Sequence, residues 1–488
     1  MVHSFLPVII ISVPWLAIVG ALLWGSKHPR AAKAVYVGCT AATFLLITTL
    51  YPRALDGVVS VQHIVEVAPK ISLSFRIDTI GFYFALILSV LWLLATVYSL
   101  GYIHTRETRY YCFTAVNLSF CLGVAFAANM FTLFIFYELM SLFTYPLIIH
   151  EETEIARRAG LKYLVYTISA GAVLLAALIM QYYYGGTLSF LGHGTLNLEA
   201  VGKPVLLIIF SVYMLGFGVK SCIMPLHGWV PDAHPAAPSP ASALLSGVIL
   251  KVGAFGIIRV VYDVFGIKLL GDLGVALPML WVASFTIIVA SIFAITQNDL
   301  KRRLAYSSVA QVSYIILGHF LLSPDGATGG LLQIAHHAFM KSTLFLCAGI
   351  IIHETGKRDI REMNGIGSKL PLTMLAFSIA ALGMMGTPLT CGFITKWELG
   401  LGSIQAHRPY FIAVLLLSAL LNAVYFLPII YIAFFKGDPT DKLFKHETSR
   451  TMIVPVIIGT AFVVILGIFV TVRGLPYSLI KVFLKAVF

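Results

Sequence analysis

Charge is what this chain has least of. Charged residues make up 11% of its 488 residues and hydrophobic ones 59%, whereas an ordinary soluble protein is about 25% charged and about 45–50% apolar. A soluble enzyme is therefore excluded. At about 20 apolar residues per span, the length holds roughly a dozen or more transmembrane helices and leaves no room for a sizeable extramembrane domain. Cysteine is also sparse. Cys39, Cys112, Cys121, Cys222, Cys347 and Cys391 lie far apart, without the paired spacing that zinc, haem attachment or an iron–sulfur cluster needs. They read as small apolar fillers, and no metal or cofactor is expected. The sequence has no G-x-x-x-x-G-K-[ST] loop, no G-x-G-x-x-G fingerprint and no G-x-S-x-G elbow, so no ATP hydrolysis, hydride transfer or catalytic centre of its own is expected. Energy must come from an ion gradient or a partner subunit. The net charge of +12 raises the question of nucleic acid, but no basic stretch is interleaved with aromatics. In a membrane protein such an excess is the loop bias of the positive-inside rule.

Apolar runs separated by charge or by Pro/Gly clusters give about fourteen spans, at roughly 5–24, 34–51, 79–102, 111–128, 130–149, 160–184, 205–225, 240–262, 275–296, 304–322, 329–352, 371–402, 409–435 and 452–472. The first lacks a basic n-region and an evident cleavage site and reads as a retained helix. The closing stretch from Pro476, with Lys481 and Lys485, reads as interfacial. Alternate loops differ in basic residues. One set carries Lys27, Arg30, Lys33, Arg106, Arg109, Arg157, Arg158, Lys162, Lys301, Arg302, Arg303, Lys357, Arg358, Arg361, Lys369, Lys436, Lys442, Lys445 and Arg450; the other has only Arg53, Lys70, Arg76, Lys203, Lys268, Arg408 and Arg473. This asymmetry predicts both termini on the outer side. Arg259 falls at a span end.

Lys220, Lys251, Lys341 and Lys396 remain, and all four fall inside predicted spans. A lysine at the centre of a transmembrane helix costs at least about 2.5–3.5 kcal/mol on insertion scales, so these residues are the main functional clue. Glu138, in FTLFIFYELMSLFTYPLII, is the clearly intramembrane carboxylate of the first half. His336 and His337 lie nearby in sequence to Lys341, and His337 and Lys341, spaced i, i+4, share a helix face. Such groups, joined by water, can pass a proton by switching partners. Plainer readings compete: Lys220 and Lys396 as snorkelling residues near helix ends, His336 and His337 as satisfied core histidines, His319 as a solvated residue near an interface. The histidines have no carboxylate or cysteine at ligand spacing, which argues against a metal. His227 and Glu398 are secondary candidates. Two lysines lie beside helix breakers: Lys220 precedes Pro225, and Pro388 and Gly392 precede Lys396. Discontinuous helices occurring once in each half mark ion sites in transporters built from inverted repeats, and five spans separate the seventh from the twelfth.

On these residues the sequence resembles the antiporter-like membrane subunits of respiratory complex I, and equally their relatives in Mrp-type cation/proton antiporters and membrane-bound, energy-converting hydrogenases. The resemblance covers nearly the whole chain. It is carried by FYELMSLFTYPLI around Glu138, by the run from Lys220 through PLHGWVPDAHPAAPSPASALLSGVILK to Lys251, by QNDLKRRLAYSSVAQVSYI, by HHAFMKSTLFLCAG and by the Pro388–Lys396 segment. It implies an all-α polytopic fold of about fourteen transmembrane helices in a prokaryotic plasma (inner) membrane. An N-terminal three-helix segment (1–110) would precede two inverted five-helix repeats (spans 4–8, residues 111–262, and spans 9–13, residues 275–435) with helices 7 and 12 broken, and a final helix with a short tail would follow (452–488). It implies that Glu138 and Lys220 form an ion pair, that Lys251 connects, that His336 or His337 with Lys341 is the central relay, and that Lys396 is the terminal residue, a place where some members have glutamate. The chain would then conduct protons within a complex of further membrane subunits coupled to redox partners. The alternative implied is the corresponding antiporter-like component of an Mrp-type complex exchanging sodium for protons, with no redox partner. Nucleic acid is not an expected partner; the lipid bilayer is.

Overall fold

The computed structural model describes residues 2–24, 28–57, 60–190, 192, 194–437, 447–470 and 476–488. Seventeen helices are numbered here, and the short helices Tyr51–Leu55, Leu198–Val201, Ile267–Leu273, Ile360–Glu362 and Ile366–Lys369 are left without a number. They are α1 (Leu6–Trp24), α2 (Pro29–Thr48), α3 (Thr79–Tyr102), α4 (Glu107–Ala125), α5 (Met130–Ile148), α6 (Glu154–Gly185), α7 (Lys203–Lys220), α8 (Val230–Ala236), α9 (Ser239–Phe265), α10 (Ala276–Thr296), α11 (Leu300–Phe320), α12 (Pro324–Thr355), α13 (Pro371–Met385), α14 (Cys391–Gln405), α15 (Phe411–Phe435), α16 (Arg450–Ile468) and α17 (Pro476–Val487).

Among the described residues, 11 helices are long and apolar enough to cross a membrane, and the chain is an integral membrane protein. Three of the fourteen predicted segments are not among those 11. The α4 and α11 segments are helical but more polar, and the twelfth is split by Gly386–Thr390 into α13 and α14. Helix ends follow local chemistry: Asp78 accepts from the Gly81 N–H at 2.8 Å and Asn129 from the Thr132 N–H at 2.7 Å, each satisfying a free donor of the first turn.

The all-α expectation needs one correction. Strands β1 (Val2–His3), β2 (Ser60–Ala68) and β3 (Ile71–Ile77) form a sheet in which β2 pairs parallel with β1 and antiparallel with β3. The alternating SVQHIVEVA run favours a strand, and Lys70, at φ 62°, makes the turn. Such short, partly exposed strands leave no mark on a search for apolar spans.

The loops fall into two groups. One face gathers the sheet, the segment after α6 and the ends of α9 and α17, through the Phe75–Ala127 and Asn129–Ser189 bridges, the Thr195 N–H bonded to the Val264 carbonyl, and Phe483 packed on Tyr262. The opposite face is basic and tied by ion pairs: Arg106 and Arg109 hold Glu152, while Lys162 and Arg302 flank Asp232 at 2.7 and 3.5 Å. Arg109 donates to the Glu152 carboxylate and keeps its pKa below the ordinary range. Lys27, Lys442, Lys445 and Arg473, basic residues of the loops, lie outside the described residues. In the centre, α9 is buried throughout and α12 from Gly326 to Ile351. Helices α3, α4 and α11 are also buried along most of their length, whereas α1, α2, α5, α6, α15 and α16 turn more than half of their residues outward, as lipid-facing helices do.

Candidate functional site: a row of buried lysines

The first lysine closes a broken helix. Lys220 is the last residue of α7, fully buried, and its Nζ donates to the Tyr163 hydroxyl at 2.9 Å while lying 5.5 Å from the centre of the Tyr137 ring. Tyr163 donates onward to the Ser141 carbonyl at 2.9 Å, one turn along α5 from Glu138. The expected direct contact between Glu138 and Lys220 is not made: among the described residues no ion pair within 4.0 Å joins them. The two aromatic residues on α5 and α6 occupy the lysine's surroundings instead. Glu138 is partly buried and its Oε1 has no hydrogen-bond partner. Its carboxylate sits in a slot that glycine provides, since a Cβ on Gly171 would lie 2.3 Å from Oε2. Gly171→Val is accordingly expected to expel the carboxylate. Proton flux through the reconstituted complex should fall severalfold, with the change in stability held to the roughly 1–3 kcal/mol of an overpacked contact.

Lys251 depends on a local change of helix pitch. Residues Leu245–Ile249 of α9 are wound as a π-helix, a bulge that displaces the backbone and recurs at functional positions. The fully buried Nζ donates at 2.7 Å to the carbonyl of Ser246, within that bulge. Gly253 lets α9 approach the end of α7, where an added Cβ would stand 2.8 Å from Lys220 Cβ. The Ser246 hydroxyl reaches Ser308 of α11 at 2.7 Å. Lys341, on α12 and also fully buried, donates to the hydroxyl of Ser307 on α11. Lys220 thus lies where α7 meets α9, and Lys251 and Lys341 where α9 and α12 pack together and against α11.

The two histidines part company. His337 lies one turn from Lys341, and neither of its buried ring nitrogens has a hydrogen-bond partner. His336 points to the second broken helix, its Nδ1 lying 2.7 Å from the Thr395 hydroxyl. The next residue, Lys396, reaches back across the break so that its Nζ bonds the Met384 carbonyl at 3.2 Å and the Met385 carbonyl, the last two residues of α13. A cation at those unsatisfied carbonyls is favoured by the helix dipole. Asn422 of α15 donates to the same Met384 carbonyl at 3.0 Å. Lys220 is fully buried and does not snorkel, while Lys396, partly exposed, turns its Nζ to the α13 carbonyls.

The secondary candidates separate. His319 is buried, not solvated, because the end of α9 covers it and Tyr262 bonds its Nδ1 at 2.9 Å. His227 sits between α7 and α8, partly buried, with its ring 6.2 Å from that of Tyr306. Glu398 is partly buried, and the charged groups that influence it are Asp325 and Lys481 of the tail; no contact joins it to Lys396. Among the described residues no cluster of His, Cys, Asp or Glu could hold a metal.

Three buried groups escaped the sequence reading. Lys301, counted with the loops, is 3% exposed and donates to the Ala237 carbonyl at 2.6 Å. His234, fully buried, stacks on Phe345 with both ring nitrogens without partners; its place in the proline-rich break after α7 was the available signal. Arg259, counted as a span end, is 2% exposed and holds Asp78 through both terminal nitrogens at 2.8 and 3.0 Å, and Asp263 at 3.1 Å.

Relatives carry the same arrangement of chain. A family described as NADH:quinone oxidoreductase/Mrp antiporter, transmembrane, matches residues 127–422, the stretch from before Glu138 to Asn422. NADH-quinone oxidoreductase subunit N of Desulforudis audaxviator is 33% identical over 487 residues, covering 96% of each chain. Subunit M of the same kind of enzyme from Rickettsia felis is 30% identical over 494 residues, covering 98% of this chain and 97% of the relative. A chain of the membrane-bound sulfane sulfur reductase, an archaeal respiratory membrane complex, superposes with a TM-score of 0.88 at 21% identity over 99% of this chain and 98% of its own, a likeness of fold. The span matched by the family holds every lysine, histidine and carboxylate of the row described above, and the chain belongs to the NADH:quinone oxidoreductase/Mrp antiporter transmembrane family.

Proposed function

We propose that this chain is the proton-conducting subunit of a multi-subunit membrane complex and moves protons along the row Glu138, Lys220, Lys251, His336/His337–Lys341 and Lys396, driven by redox chemistry in partner subunits. In this reading it has about fourteen spans, an N-terminal segment at 1–110, two inverted five-helix repeats at 111–262 and 275–435, and a final helix and tail at 452–488. It sits in a prokaryotic inner membrane with both termini outside. The observation that supports the reading best is the bonding of the four lysines. Each Nζ is held by a hydroxyl or a main-chain carbonyl and none by a carboxylate. A lysine fixed in an ion pair stays charged, whereas one bonded to neutral acceptors in a low-dielectric setting can lose its proton and regain it.

The steps follow from the contacts. A charge change arriving from a neighbouring subunit alters the field of Glu138 on Lys220. Lys220, held through Tyr163, releases its proton towards Lys251 across the close contact at Gly253. Lys251 and Lys341 flank the π bulge of α9, and His337 and His336 lead from there to Thr395 and Lys396. The breaks at 221–229 and 386–390 supply the free carbonyls and hydration that an unbroken span lacks.

Names of relatives such as NADH-quinone oxidoreductase subunits N and M favour redox coupling over a sodium/proton antiporter. The deciding experiment is ion flux into proteoliposomes holding the complex purified through a tag on this chain. Proton uptake is expected to persist without sodium and to vanish in Glu138→Ala. A flux that requires sodium would replace this reading by the Mrp-type one.

A further inference from the structure

A second polar line runs from the row to the face of the molecule that carries the sheet. It lies in the contact between α11 and α12. On α11, Ser307, Gln311 and His319 recur at intervals of four and eight residues, and on α12 Gly330, Gln333, His337 and Lys341 recur at three and four, so each set lines one helix face. The two faces meet rung by rung: Lys341 on Ser307, the Gln333 amide donating to Gln311 Oε1 at 2.7 Å, and the His319 ring lying over Gly330, where an added Cβ would stand 3.1 Å from Nε2. Ile315 is the one apolar residue of the α11 set. From Ser307 to His319 the line covers about 18 Å of helix rise, enough to run from the midplane to the membrane surface.

At its far end His319 is 1% exposed, and its Nε2 points into the seam without a hydrogen-bond partner while Nδ1 meets the Tyr262 hydroxyl at 2.9 Å. Tyr262 lines a surface bay of about 620 Å³ that also bears Glu199, Lys268 and Asp272. A glutamine pair, a histidine with one nitrogen turned inward and the other on a phenol, and an open polar bay behind that phenol are more than helix packing requires. An apolar seam would avoid burying these polar groups.

We propose that this seam is a proton passage joining His337–Lys341 to the bay, with His319 as its carrier and Tyr262 as its gate, in addition to the way out past Lys396. The inference rests on the relay reading above. A proton taken up at His319 Nε2 makes the imidazolium. The Nδ1 proton then passes to the Tyr262 oxygen as the tyrosine's own hydroxyl proton passes to bay water, leaving a neutral ring and a neutral phenol. The glutamines carry no proton themselves; they present a donor and acceptors to water between His337 and His319, Gln333 lying about one helical turn from His337 and Gln311 about two turns from His319.

The test is proton flux in proteoliposomes holding the tagged complex, with His319→Asn, Tyr262→Phe and Lys251→Ala compared with the parent. Loss of this positioned acid–base group is expected to lower flux severalfold in His319→Asn, the remainder leaving past Lys396. In Tyr262→Phe, which keeps the ring packing on Phe483, flux should fall severalfold and lose its dependence on pH at the bay side. That dependence is a readout a packing role would leave in place. Parent-like flux in Tyr262→Phe, with Lys251→Ala inactive, overturns the seam and leaves the relay standing. Parent-like flux in all three variants overturns the relay itself. Should His319→Asn fail to assemble, Tyr262→Phe decides alone.

Discussion

Lys251→Ala is expected to reduce proton pumping by the reconstituted complex to background while the complex assembles and purifies normally. In the relay proposed above, this lysine is the step between the two broken helices. Its Nζ makes one hydrogen bond, to the Ser246 carbonyl, and its helix touches both the end of α7 at Gly253 and, through Ser246, the α11 residue beside the serine that holds Lys341. Alanine has no proton to carry, and the side chains nearest in the row, Lys220 and Lys341, stand on different helices. Stability points the other way. A buried ammonium with no carboxylate partner is a burden on the fold, so its removal relieves desolvation, while the Ser246 carbonyl left unpaired costs about 1–3 kcal/mol. Thermal unfolding of the purified complex should therefore move little. Pumping at the parent rate by Lys251→Ala would remove the relay as an explanation for the lysine row.

The lysine row was legible in the sequence because a charged side chain in an apolar run stands out in hydropathy alone: Lys220, Lys251, Lys341 and Lys396 emerged as the basic residues that no loop could claim. Helix boundaries came closest where a capping side chain marks them, at Asp78 before α3 and Asn129 before α5. Geometry that depends on pitch or on a third element did not emerge. Nothing in LSGVI announces a π-helix, yet that bulge presents the Ser246 carbonyl to Lys251. Glu138 and Lys220 were paired by resemblance, and Tyr163, a residue of ordinary appearance on α6, takes the lysine's hydrogen bond. His319 was read by its distance from a span end, and its burial comes from α9, far away in sequence. The strands of the sheet were missed because alternation over nine and seven residues is a weak pattern beside runs of twenty apolar ones.

Arg259→Met is expected to be the most damaging substitution for the fold, and the contrast with Lys251 shows why burial alone does not define function. Both are buried cations of α9. Arg259 meets two carboxylates: its two terminal nitrogens grip Asp78 at 2.8 and 3.0 Å, one of them reaches Asp263 at 3.1 Å, and its guanidinium lies 4.8 and 5.1 Å from the centres of the Phe190 and Phe255 rings. Asp78 is also the N-cap of α3 and lies 3.3 Å from Arg76, so the arginine ties α3 to α9 where the sheet joins the bundle. Methionine would leave two buried carboxylates facing each other with Arg76 alone, and breaking such a buried set by removing one partner costs about 3–5 kcal/mol. The expected result is a large loss of protein in the membrane fraction and a lowered unfolding temperature in whatever assembles. Combining Arg259→Met with Asp78→Asn and Asp263→Asn removes the uncompensated charges and should recover much of that stability, which comparing the triple variant with Arg259→Met on the purified complex measures. Arg259→Met at parent stability would show that the carboxylates hold no net charge there. A cation matched by two carboxylates is a fastening; in the relay proposed above, the lysines left with neutral partners are the ones that exchange a proton.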